Sequence, residues 1–113
     1  MPIQRFFSIS DVNRDRAAAG KLYREFLRVP ALSAGLYVLA KGATDPQKPH
    51  TEDELYYVVR GRARMRIGTG EKVEEQPVQA GSVIFVEARA EHRFFDITDD
   101  LEVLVFFAPA ESE

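Results

Sequence analysis

The chain holds two histidines in 113 residues, and both sit among acidic side chains. His50 lies in "KPHTEDELYYVVRG", four residues before Glu54, and His92 lies far downstream in "EARAEHRFFDI". Two neutral imidazoles and a carboxylate on one face of rigid elements, with coordination positions left open, make a non-thiolate transition-metal site. Such a set forms here if His50 and Glu54 flank a tight loop at neighbouring strand ends and a later strand brings His92 alongside. Taken alone, a histidine near glutamates is more often a solvated turn residue. Whether the two belong together depends on the elements that position them.

From Ala31 onward those elements read as strands. "ALSAGLYVLA" ends at Lys41-Gly42, "ELYYVV" ends at Arg60-Gly61, and "RARMRI" alternates before Gly68-Thr69-Gly70. "KVEEQPV", "SVIFVE", "HRFFDI" and "LEVLVFFA" follow. Short strands at roughly 8–12-residue spacing, punctuated by glycine and Asx turns, indicate a sandwich or barrel. Ahead of them "IQRFFSI" reads as a short strand. "SDVNRDRAAAGKLYREFLRVP" reads as a helix, with Ser10, Asp11 or Asn13 as cap and Leu22, Phe26 and Val29 at helical spacing before Pro30. An irregular arm is the alternative, because Gly20 costs a helix about 1 kcal/mol relative to alanine. The organisation expected is an N-terminal strand and helix or arm over 1–30, a barrel over 31–110, and an acidic tail over 111–113, part of a frayed "AESE" end.

Composition bounds the rest. Hydrophobic residues make up 45% and charged residues 29%, as in an ordinary soluble globular domain. A net charge of -3 gives no drive toward nucleic acid or an anionic membrane. The absence of cysteine excludes disulfides, thiolate zinc sites and cysteine nucleophiles. No signal segment or spanning apolar run is visible, so the expected location is the cytoplasm. Arg60, Arg62, Arg64 and Arg66 recur at period two, which in a strand puts them on one face. Without basic net charge or interleaved stacking aromatics this is read as a solvated outer face, with Ala63, Met65 and Ile67 in the core.

The neighbours of the histidines follow a frame. Gly42, five residues, Lys48, one residue, His50, three residues, Glu54, six residues, Gly61 resembles the first motif of the cupin superfamily: Gly, x5, His, x, His, x3–4, Glu, x6, Gly. Gly81, five residues, Glu87, one residue, Arg89, two residues, His92, three residues, Asp96 resembles the second: Gly, x5, Pro, x, Gly, x2, His, x3, Asn. The resemblance implies an all-β fold, a small jelly-roll barrel of two antiparallel sheets with an N-terminal arm or short helix. It implies a divalent transition metal (zinc, iron, manganese or nickel) held by His50, Glu54 and His92. It also implies a homodimer formed through outer sheets and exchanged N-terminal segments.

The sequence departs from the motifs at Lys48, which replaces the first histidine, and at Glu87, Arg89 and Asp96. An ammonium group does not ligate a metal and repels a neighbouring divalent ion. Three outcomes stand open: a metal held by three protein ligands plus waters, Lys48 turned out to solvent, or a metal-free site with Lys48 paired to Glu54 or to an anionic ligand. Strand parity puts Tyr56 with Glu54, and Phe94 and Asp96 with His92, so Lys48, Tyr56, Phe94 and Asp96 are the pocket candidates. Core packing is the competing reading for Tyr56. Glu52 reads as solvated, and as the reserve carboxylate. Gln47 could offer an amide oxygen but has the wrong parity. No residue is assigned as catalytic acid, base or nucleophile: "GTG" is too short for a phosphate loop, and no serine stands in an elbow context. Two functions remain: a metal-dependent cupin oxygenase or isomerase acting on a small organic molecule, or a non-catalytic small-molecule or sugar binding or sensor module, with or without metal.

Overall fold

The computed structural model describes residues 3–112. In chain order the elements are α1 (Ile9–Ala18), β1 (Tyr23–Val29), β2 (Leu32–Leu39), β3 (Asp53–Ile67), β4 (Glu74–Gln79), β5 (Val83–Val86) and β6 (His92–Ala108). All strand pairings are antiparallel, in the order β1-β2-β6-β3-β4, with β5 on β3. The expected all-β fold is therefore present. Its two layers are joined into one hydrogen-bonded sheet, because "ELYYVV" and "RARMRI" are a single strand and "HRFFDI" and "LEVLVFFA" are another.

The bend that separates the layers sits in these two long strands. The β3–β6 register shifts between Val58 and Arg60, between Arg60 and Arg62, and between Arg62 and Arg64. Gly61 lies in the middle with φ +103, and a Cβ there would run into the backbone of Asp100 and Leu101. Only glycine meets both demands at that crossing. Beyond the bend the first half of β3 pairs with β5 and the end of β6, and the second half pairs with β4 and the start of β6. Both halves feed one core, with Leu39, Tyr56, Val58, Phe94, Leu101 and Val103 almost wholly buried. Each such side chain contributes roughly 1.5–3 kcal/mol through burial.

The arginine face is exposed at Arg60 and Arg62 but half-buried at Arg64 and Arg66, and Ile67 is only partly buried. Ala63 and Met65 are buried, while Arg62 meets Asp99 at 3.8 Å and Arg66 donates to Glu75 at 2.7 Å. Arg60 pairs with Glu102.

The N-terminal region differs from its sequence reading. Residues 3–8 form no strand, and α1 stops at Ala18, with Gly20 in the left-handed conformation just beyond. Ser8 occupies the cap position ahead of Ser10, Asp11 and Asn13. Leu22, Phe26 and Val29 do not form a helical stripe: the stretch from Tyr23 is β1, paired with β2 across the turn at Pro30 and Ala31. A spacing of three and four residues over so short a segment does not separate a helix from a strand when a neighbouring strand offers a full ladder. Phe7 packs on Phe26 with ring centres 4.9 Å apart, fastening the arm to the sheet.

Candidate metal centre

His50 stands in the loop between β2 and β3, Glu54 is the second residue of β3, and His92 opens β6. In the β3–β6 ladder Glu54 pairs with Phe107 and His92 pairs with Ile67, so the two lie at opposite ends of the register. The bend folds those ends together. His92 Nε2 comes within 3.3 Å of Glu54 Oε1 and His50 Nε2 within 3.8 Å of the same oxygen. One donor atom from each of the three residues lies within 4.8 Å of the others. Glu54 is 1% exposed and His92 is 6% exposed.

The donor set fits a cation. His92 Nδ1 lies 2.9 Å from the Ala90 carbonyl oxygen, which can only accept, so Nδ1 carries the proton and Nε2 is turned toward Glu54. Among the described residues four buried side-chain polar atoms have no hydrogen-bond partner, and two of them are Glu54 Oε2 and His92 Nε2. Buried polar atoms rarely stay unpaired. Metal–nitrogen and metal–oxygen bonds of about 2.0–2.2 Å place neighbouring ligand atoms roughly 3–3.5 Å apart, close to the separations here. Burial raises the affinity of Glu54 for a proton, although Tyr56 and the two imidazoles oppose this. A buried carboxylate that resists ionisation is one that a bound cation would stabilise.

His50 is held from outside. Its Nδ1 lies 3.3 Å from Glu111 Oε2, and this contact raises the imidazole's proton affinity above its ordinary value of 6.5, against a smaller opposing effect of burial. Its backbone carbonyl accepts from the Arg89 amide at 2.6 Å. Arg89 has φ +66 at the position where the cupin motif has glycine, so the motif's backbone shape survives without its residue.

Lys48 is exposed and makes no ion pair with Glu54. It stands at the mouth of a cavity of about 540 Å³ that His92, Gln47, Arg66 and Arg93 also line. Tyr56 and Phe94 are fully buried, with ring centres 5.5 Å apart, beneath the cluster. They line neither of the two cavities that open beside it. The Tyr56 hydroxyl donates to Gln47 Oε1 at 2.8 Å, so Gln47 does reach the inner side of the loop; strand parity does not apply to an irregular segment. Asp96 does not share the face of His92. It is exposed at φ +48, in the stretch where the β3–β6 register shifts, and the bulge breaks the alternation that pointed it inward.

Three contributions were not legible in the sequence. Asp45 is buried and accepts four hydrogen bonds, from the Tyr37 hydroxyl (2.6 Å), the Gln47 amide (3.1 Å), Gln47 Nε2 (2.8 Å) and the Phe94 amide (2.9 Å). It clamps the His50 loop to β2 and β6; its only sequence signal is the Asp-Pro turn. Glu52, read as solvated, is buried and accepts from Thr51 and from Ser112, the latter at 2.7 Å. The acidic end is not frayed over its described part. The Glu111 amide donates to Ser33 Oγ at 2.9 Å and its carbonyl accepts from Arg28 at 2.6 Å. Glu113 lies outside the described residues.

Comparison with known proteins agrees with this architecture. The family described as "Cupin domain" matches residues 35–108. An uncharacterised protein of Streptomyces coelicolor is 45% identical over 106 residues, 94% of this chain and 97% of that one. Among solved structures, an RmlC-like cupin with a double-stranded β-helix fold from Methanocaldococcus jannaschii has a TM-score of 0.71 at 18% identity, covering 96% and 94% of the two chains. KdgF from Halomonas sp. has a TM-score of 0.67 at 20% identity, covering 77% and 76%. Fe(II)-HppE with an alternative substrate has a TM-score of 0.64 at 19% identity, covering 75% of this chain; this chain spans about half of that one, 48%. These structural likenesses concern the fold. With the family match over most of the barrel and a relative alike along nearly its whole length, the chain belongs to the cupin family.

Proposed function

We propose that this cupin binds a divalent transition metal ion through His50, Glu54 and His92 and acts on a small organic molecule as a metal-dependent oxygenase or isomerase. The observation behind this reading is the pair of buried, unpartnered atoms, Glu54 Oε2 and His92 Nε2, facing a third ligand-type side chain. The HppE structures contain iron(II) or cobalt(II), which supports a metal in a barrel of this shape. Bound there, the ion supplies Lewis acidity, or a redox centre with coordination positions open to oxygen and substrate. Of the chain's own groups, Ala90 fixes the His92 tautomer and Glu111 steadies His50, each through the nitrogen that faces away from the centre. Lys48, at the mouth, takes no part in holding the ion. No helix among the described residues is long and apolar enough to cross a membrane, and the cytoplasm is the location proposed with this function.

Metal analysis of protein purified without an affinity tag tests the reading. It should give close to one equivalent of a transition metal, lost in His50→Ala and in His92→Ala. A metal-free wild-type protein that also fails to take up zinc, iron, manganese or nickel added in solution would overturn it.

A further inference from the structure

In this structure the centre is closed. The side chains of His92 and Glu54 are 0% and 1% exposed, and only the His50 ring, at 22%, meets solvent. An ion reaches two sealed donors only if a ligand moves, and Glu54 and His92 are fixed in β3 and β6. His50 stands on the loop between them and β2, and its ring faces a cavity of about 250 Å³ walled by Tyr23, Tyr37 and Phe107, with Glu111 at the polar end. The loop backbone is pinned by Asp45 and by the bond from the Arg89 amide to the His50 carbonyl. What is left to move is the His50 ring.

Glu111 holds that ring, with Oε2 3.3 Å from Nδ1, and it belongs to the strap 109–112 that follows β6. No residue of the strap is buried, and hydrogen bonds fasten it on two sides. Toward β1 and β2 the Ala110 amide donates to the Pro30 carbonyl (3.3 Å), the Glu111 amide donates to Ser33 Oγ (2.9 Å), and Arg28 donates to the Glu111 carbonyl (2.6 Å). Toward the His50 loop the Ser112 hydroxyl donates to Glu52 (2.7 Å) and lies 2.9 Å from Thr51 Oγ1. A segment held by exposed hydrogen bonds, with little apolar burial, opens locally without unfolding the core.

We propose that the strap 109–112 is the latch of the metal centre: Glu111 holds the His50 ring inward, and release of the strap lets the ring swing into the cavity and opens the path of the ion. This rests on the metal reading above. The contact suits a latch and not a ligand. Glu111 meets Nδ1, on the side of the ring turned away from Glu54, so it sets the ring's position and leaves Nε2 to the ion. Swung outward, the ring offers that nitrogen to an ion in the cavity, and closing carries the ion to Glu54 and His92.

Stopped-flow zinc uptake and chelator-driven zinc release test the latch. Ser33→Ala removes one fastening and touches no ligand. It should speed uptake and release alike by about fivefold, the size of one hydrogen bond, and leave Kd unchanged. Thr51→Cys/Ser112→Cys puts two cysteines within bridging reach in a chain that has none. Its oxidised form, with the strap tied down, should release zinc more slowly than wild type. Carbethoxylation of the sealed His92 ring by diethyl pyrocarbonate in metal-free protein should quicken in Ser33→Ala and slow in the oxidised variant. Unchanged zinc rates in both variants, or faster release in Ser33→Ala matched by an equal loss of affinity, would overturn the proposal. His92 reactivity that follows the strap in a protein that takes up no metal would sink the metal reading and leave the latch on His50 standing. Zinc binding with exchange and His92 reactivity indifferent to both variants would do the reverse.

Discussion

Glu54 and His92 face each other across 3.3 Å although they pair with opposite ends of each other's strand. Because His92 Nδ1 is committed to Ala90, the nitrogen facing the carboxylate is free to offer its lone pair to a metal. The Glu54 carboxylate is thus placed for a cation and is costly without one.

Glu54→Gln should therefore act in opposite directions on binding and on stability. Removing the anionic ligand should lower zinc affinity by on the order of a hundredfold or more. Removing a buried charge should raise the melting temperature of the metal-free protein by a few degrees. Isothermal titration and thermal melts check the two halves. A metal-free variant that melts below the wild type would contradict the assignment of strain to Glu54.

The pH dependence has a defined sign. His50 binds its proton more tightly folded than unfolded, chiefly through Glu111, so its contribution is fully present below about pH 6.5 and lost as pH rises through its raised folded value. Glu54, raised by burial, adds to the same trend from lower pH. Metal-free protein should lose melting temperature between pH 5 and 8. Zinc competes with those protons, so its stabilisation should grow over the same range, reaching on the order of 10 °C at a hundredfold excess over Kd. Melts with and without zinc across pH would show parallel curves if neither residue holds the ion.

Asp45→Ala should destabilise the fold by about 3 kcal/mol, because it strips the acceptor from four donors at a buried site. Chemical denaturation measures this. A loss below 1 kcal/mol would mean that the loop bearing His50 is held by other contacts.

Lys48→Met should leave zinc content and melting temperature unchanged, since Lys48 is exposed and outside the cluster. Tighter or weaker zinc binding in this variant would show that position 48 reaches the ion.

We also propose that a second copy of the chain covers the outer face of β5, β3 and β6. Leu55 and Tyr57 pair with Phe85 and Val83 there, and all four are at least 42% exposed. Phe6, on the arm of the same chain, is 88% exposed and offers a matching apolar surface. Light scattering should give a dimer for wild type and a monomer for Phe85→Lys. A wild-type monomer would remove the homodimer from this description.

Some of this was written in the sequence and some was not. Strict alternation determined the strand at 62–67 and its arginine face, and the four-residue spacing from His50 to Glu54 sufficed to put both at one strand entrance. Those are local properties, set by the pleat and by turn chemistry. The tertiary structure alone decided the rest. Glu54 meets His92 only because β3 and β6 bend at Gly61, and the same bulged stretch carries Asp96 away from the pocket. Tyr23 enters the wall because β2 offers its segment a ladder, overriding a helical spacing. Glu111 reaches His50 through bonds to Ser33 and Arg28, 78 and 83 residues away. Contacts at such separation leave no period and no propensity behind, since they depend on how the whole sheet closes.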